Sequence, residues 1–164
     1  MKIKRHRIAV IIGSNIEPIL NICKAVDLIK ERFPIWAISK TWETPPVGSS
    51  GPNFYNTAVI LSSNEPVEIV QSQLREIESQ LLRVRTADKY APRTIDLDIV
   101  LYDDQILEPR LWQLAYIAIP LAELVPELRH PTSNHPLRQI AADLLPNSGV
   151  IPHPEIMPSL GLQH

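Results

Sequence analysis

The chain has 164 residues, a formal net charge of −2 and 45% apolar residues, which suits one domain with its own core and excludes the broad basic footprint that duplex nucleic acid requires. Cys23 is the only cysteine, so an internal disulfide framework and a cysteine-based zinc site are excluded, and its place in an apolar pattern suggests a buried thiol in a reducing compartment. No apolar run approaches membrane-spanning length, and Ile8 to Ile12, behind the basic start Met1 to Arg7, is too short for a signal-peptide core; the expected location is the cytoplasm.

Ile8 to Ile12 reads as a buried strand closed by Gly13-Ser-Asn15. From Pro18, the apolar positions Ile19, Ile22, Cys23, Val26, Ile29 and Phe33 recur at three- and four-residue steps and predict an amphipathic helix that Pro34 stops. Ile35 to Trp42 and Phe54 to Leu61 predict two strands joined by the loop Thr44-Pro-Pro-Val-Gly48 and its continuation to Pro52. Pro66 suits the first turn of a second helix with Val67, Val70, Leu74, Ile77 and Leu81 on its buried side. A last strand follows at Ile95 to Tyr102.

The order β-α-β-β-α-β predicts an α+β fold: a ferredoxin-like antiparallel sheet with both helices on one face and the opposite face free for ligand. Beyond Tyr102 come Pro109, Pro120, Pro126, Pro131, Pro136, Pro146, Pro152, Pro154 and Pro158. This proline-rich extension allows only short helices, around Leu121 and Pro136, and is expected to act as a cover. One domain is expected over residues 1–164, with a core at about 7–145 and a loosely attached tail at 146–164.

The last strand carries the chemistry. Alternation sends Ile95, Leu97, Ile99 and Leu101 to the core and puts Asp96, Asp98 and Val100 on the other face. Two like charges side by side destabilise a sheet face unless a cation compensates. Mg²⁺ is held by one or two carboxylates together with substrate phosphates, so the pair implies a nucleotide. Upstream, Arg83, Arg85, Lys89 and Arg93 supply cations, and guanidinium groups bind phosphate oxygens in pairs without ever losing charge. The plainer alternative is a sheet-rim ion-pair cluster of small energetic worth.

Gly13-Ser-Asn15, Thr44-Pro-Pro-Val-Gly48, Phe54-Tyr-Asn-Thr-Ala-Val59, Arg83-Val-Arg85 and above all Pro92-Arg-Thr-Ile-Asp-Leu-Asp98 resemble, in order and spacing, the 6-hydroxymethyl-7,8-dihydropterin pyrophosphokinase family of folate biosynthesis. The resemblance implies transfer of pyrophosphate from ATP to the hydroxymethyl group of the dihydropterin, releasing AMP. It implies two Mg²⁺ ions on Asp96 and Asp98, with Arg83 and Arg93 stabilising the transferring group. Glu78, Arg85, Lys89, Ile99 and Arg110 are implied on the ATP side. Thr44, Val47, Phe54, Asn56, Asp96 and Tyr116 are implied around the pterin, where the Asn56 amide answers a donor–acceptor edge and Phe54 and Tyr116 offer flat faces.

The chain departs from the family after Tyr102. Leu111 to Leu121 runs through without counterparts of the histidine and arginine that contact ATP phosphates in the family, so a slow or impaired paralogue that binds a pterin or acts on a different pterin is a second reading. A ferredoxin-like RNA-binding module is a third, although its aromatic strand motif is absent. His130, His135 and His153 have no metal-site spacing, and neither Gly-rich phosphate loop occurs. Small-molecule partners are expected, with no nucleic acid and no membrane.

Overall fold

The computed structural model describes residues 3–46, 48, 50–81 and 95–156. Strands β1 (His6–Ser14), β2 (Ile35–Thr44), β3 (Phe54–Ser63) and β4 (Asp96–Tyr102) alternate with helices α1 (Pro18–Arg32) and α2 (Val67–Gln80) in the expected β-α-β-β-α-β order. They are followed by β5 (Gln105–Ile106), a 3₁₀ turn at Pro109–Trp112, α3 (Ala115–Leu124), α4 (Leu137–Leu144), a second 3₁₀ turn at Leu145–Asn147 and β6 (Ile151–His153). One six-stranded sheet runs β5-β4-β1-β3-β2-β6, and all of its pairings are antiparallel. α1 links two strands that flank β3, and α2 links two that flank β1, so each helix connection steps over one strand.

The first face of the sheet is a continuous apolar surface. Ile8, Val10 and Ile12 of β1, Val59 and Leu61 of β3, and Ile95 and Leu97 at β4 pack against Ile22, Ala25, Val26 and Ile29 of α1 and Val70, Leu74 and Ile77 of α2. The buried stripe of α1 is rotated from the expected one. Ile19 is half exposed, and Cys23 is only partly buried rather than a core thiol, though burial and Asp27 still push its pKa up. Ala25 joins Ile22, Val26, Ile29 and Phe33, which keep their expected core positions.

The second face is not free, as the sequence had suggested. α3 lies across β2 and β3 and encloses a second cluster containing Ala9, Ile11, Ala58, Ile60, Ile117, Ala118 and Leu121. Helices therefore cover both faces, and the expected cover is an additional layer. Glu123 of α3 fastens it to β2 by accepting the Trp42 indole hydrogen bond at 2.7 Å. Pro120 lies inside α3, where its missing N–H leaves the Tyr116 carbonyl outside the helical ladder.

β4 breaks strict alternation. Ala9 faces Leu101 but Val10 faces Ile99, so Val100 is an extra residue in the ladder. This bulge sends both Val100 and Leu101 to the second cluster and returns Tyr102 to the first. Leu101 thus departs from its expected face, whereas the residues before the bulge keep theirs.

The segment after Pro146 is not a loose tail throughout. Ile151 and Pro152 lie against Glu43 and Trp42, and His153 lies against Thr41, as a short outer strand. Pro152, without an N–H, is tolerated because that strand is outermost. Among the described residues, no helix is long and apolar enough to cross a membrane.

Candidate active site

α3 leaves one end of the second face open, and the register assembles polar side chains there. Gly13 of β1 is opposite Asn56 of β3 on one side and Asp96 of β4 on the other, and Ile11 is opposite Asp98. Directly opposed residues share a face, and Ile11 belongs to the α3-side cluster. Asn56, Asp96 and Asp98 therefore all emerge on that side. Asp96 and Asp98 are about 6.6 Å apart along the strand, Asp96 partly buried and Asp98 exposed.

Gly13 permits this crowding. A β carbon there would come within 2.8 Å of the Asn56 Oδ1. The Asn56 amide is 3% exposed and donates to the Thr44 hydroxyl across the strand pair at 2.8 Å. Its carbonyl oxygen is thus aimed over Gly13 while its nitrogen is anchored to β2. Phe54, opposite Thr44, stands half-buried at the rim.

α3 brings Tyr116 to the same end. Burial raises the Tyr116 pKa, and Asp98, Glu108 and Asp96 raise it further while Arg110 opposes them, so the phenol stays protonated within electrostatic reach of both aspartates. Arg110, on the 3₁₀ turn before α3, is held by Glu108 through a 2.6 Å contact. Glu108 raises the Arg110 pKa, with smaller contributions from Tyr116 and Asp98. In return Arg110 lowers the carboxyl pKa of Glu108. One exposed cation is thereby fixed beside two carboxylates.

Several expected residues stand elsewhere. The Ile99 side chain packs into the first-face cluster, so only its main chain faces strand neighbours. Glu78 is buried on α2, in the helix layer behind the sheet. Arg83, Arg85, Lys89, Arg93 and Val47 lie outside the described residues. His130 and His153 are far apart in role: the first caps its own turn through Thr132 and Ser133, the second bonds Glu43 and Glu155. Hollows of about 550 and 490 Å³ around Arg7 and Leu124 line the far end of the second face. The larger mixes Lys4 and Arg7 with Asp103, Asp104 and Glu127, a mixture ill-suited to a polyphosphate.

Sequence reasoning gave no site role to Gly13 or Glu108. The first was visible as a glycine closing an apolar strand, the second only as a carboxylate two positions before an arginine.

The model of the family described as 7,8-dihydro-6-hydroxymethylpterin-pyrophosphokinase matches residues 9–126. The chain belongs to this family. It is 36% identical over 151 residues to the 2-amino-4-hydroxy-6-hydroxymethyldihydropteridine pyrophosphokinase of Pseudomonas aeruginosa, covering 84% of this chain and 91% of that one. With the Bacillus subtilis protein of the same name it shares 32% over 126 residues, 69% of this chain and 74% of that one. A crystal structure of Plasmodium falciparum HPPK-DHPS with pteroate superposes with a TM-score of 0.68 at 14% identity, over 88% of this chain. This chain spans 44% of the Plasmodium one, and that likeness concerns the fold.

Proposed function

We infer that this pyrophosphokinase-family chain transfers the terminal pyrophosphoryl group of ATP to the hydroxymethyl group of 6-hydroxymethyl-7,8-dihydropterin, a step of folate biosynthesis. The observation that carries the reading is the row Asn56–Gly13–Asp96 across three strands, with Asp98 one step along β4: a ring-edge hydrogen-bonding group and a pair of hard oxygen donors at one open sheet end.

The two aspartates suit Mg²⁺. They are acidic oxygen donors on one open face, and among the described residues no cluster of three metal-ligating side chains competes with them, which matches a metal completed by substrate phosphates and water. Asp96 and Asp98 would hold two such ions, which when bound neutralise phosphate charge and acidify the attacking hydroxyl.

The residues' own tasks follow from their chemistry. Asn56, anchored by Thr44, presents its carbonyl to ring N–H groups and fixes the pterin's orientation, and Phe54 and Tyr116 offer faces to the ring. The hydroxyl oxygen bonds to the β-phosphorus as the bond from that phosphorus to the α-phosphate oxygen breaks; AMP leaves and the hydroxyl proton is lost. Such chemistry asks the protein for alignment and charge stabilisation. Arg83 and Arg93 neutralise the transferring group, and Arg85 and Lys89 hold phosphates. Arg110, held by Glu108 near Asp98, supplies a cation where the family's usual histidine and arginine are missing.

The test is to incubate the protein with ATP, the dihydropterin and Mg²⁺ and to measure AMP. AMP is expected only when all three are present. Pterin binding without AMP would favour the impaired paralogue, and binding of RNA but not pterin would end the reading.

A further inference from the structure

A second polar cluster sits on the reverse of the same sheet end and has no part in the chemistry above. Both ring nitrogens of His153 face carboxylates: Nε2 is 2.9 Å from Glu43 on β2, and Nδ1 is 2.9 Å from Glu155 just beyond β6. A neutral imidazole has one N–H and would turn a lone pair toward one of these anions; the imidazolium donates to both. The ring stacks on Tyr55 of β3, with centroids 5.3 Å apart. Glu43 also accepts from the Tyr55 hydroxyl at 3.2 Å and from the Asn53 amide at 2.8 Å.

These are the chain neighbours of the pterin end. Glu43 precedes Thr44, and Tyr55 lies between Phe54 and Asn56. The strap leading to β6 reaches the same place: Gly149 has φ +72°, and a β carbon on it would meet Pro45 at 3.1 Å, so only glycine passes there without strain.

We propose that His153 is a positioning residue for the pterin subsite: as an imidazolium it ties Glu43, Glu155 and Tyr55 together behind the sheet and so holds Thr44 and Asn56 in the arrangement that receives the pterin. This rests on the pyrophosphokinase reading. The hydrogen bonds to Glu155 and then Glu43 raise the His153 pKa above its ordinary 6.5. Those of Asn53 and then His153 lower that of Glu43; the backbone of Glu155 and then His153 lower that of Glu155. Burial and Glu43 keep Tyr55 protonated. The cation's share of the clasp is fully present below the ordinary imidazole range and is lost as pH rises through the raised value. The carboxylates' share is present above the ordinary carboxylate range and lost as pH falls through their lowered values.

The test is steady-state kinetics of the full chain, with pterin and ATP varied separately across pH, together with direct pterin titrations. At pH 6, His153→Ala should raise the pterin KM by about fivefold or more, with kcat and the ATP KM changed little. In the wild type, the pterin KM should rise as pH climbs above the imidazole range; that rise should vanish in His153→Ala. His153→Arg, which keeps a cation with several donors, should restore tight pterin binding without the rise. An unchanged pterin KM with only a lower Tm would overturn the proposal, leaving His153 as a fastening for β6. If the wild type forms no AMP, the pyrophosphokinase reading fails first, and equal pterin affinities of wild type and His153→Ala in the titrations would then end this proposal separately.

Discussion

The two faces of the sheet differ in what their burial accomplishes. On the first face, α1 and α2 close over an unbroken apolar cluster; on the second, α3 covers the middle and stops short of the end where Asn56, Asp96 and Asp98 emerge. An apolar cluster sealed between helices and sheet contributes stability. A partly covered face can hold charged groups against a rigid floor without requiring the chain to bury them.

Substitutions in the sealed cluster and at the polar end of β4 should therefore separate stability from activity. The largest effect is expected for Asp98→Asn, which removes a charge from the exposed end of β4: Mg²⁺-dependent AMP formation should fall about a thousandfold or more, several kcal/mol of barrier, while thermal unfolding stays near that of the wild type. Retained turnover would remove the metal assignment. Next is Leu61→Ala on the closed face, where the side chain is fully buried. It should cost about 2–5 kcal/mol in denaturant unfolding with kcat per folded molecule unchanged, and a selective loss of activity would break the division between the faces.

Gly13→Ala tests the boundary between them, because its methyl group would displace the Asn56 carbonyl. A penalty of about 1–3 kcal/mol in stability, together with weaker pterin binding in a fluorescence titration, is expected; unchanged binding would show that the amide's position is not critical. The smallest effect belongs to Arg138→Ala, whose exposed guanidinium pairs with exposed Glu127 at 2.9 Å. Stability should move by no more than about 0.5 kcal/mol, and a larger shift would assign that rim a structural role.

Patterning made the first layer legible. Periods of two and of three to four residues located β1 to β4 and both long helices, and the paired aspartates were assigned to the correct face because they precede the bulge. What escaped the sequence depends on contacts between distant segments. Nothing local to Ala9 or Val100 announces an extra residue in the ladder, so simple alternation puts Leu101 on the wrong face. The run Ala115 to Leu124 is apolar nearly all round, so its period did not reveal which sheet face it would cover. Ile151 to His153 has a central proline, which discourages reading it as a strand unless its outermost position is known. The clasp of His153 on Glu43 joins residues 110 positions apart, a pairing that no spacing rule supplies.

The sheet's margins carry a consequence of their own. On one side it ends in the two residues of β5 and on the other in the three of β6, the latter with Pro152 at its centre. Where they cap β4 at Leu101 and Tyr102 and β2 at Thr41 to Glu43, such short borders, one of them lacking an amide hydrogen in its middle, give an incoming chain little ladder to extend.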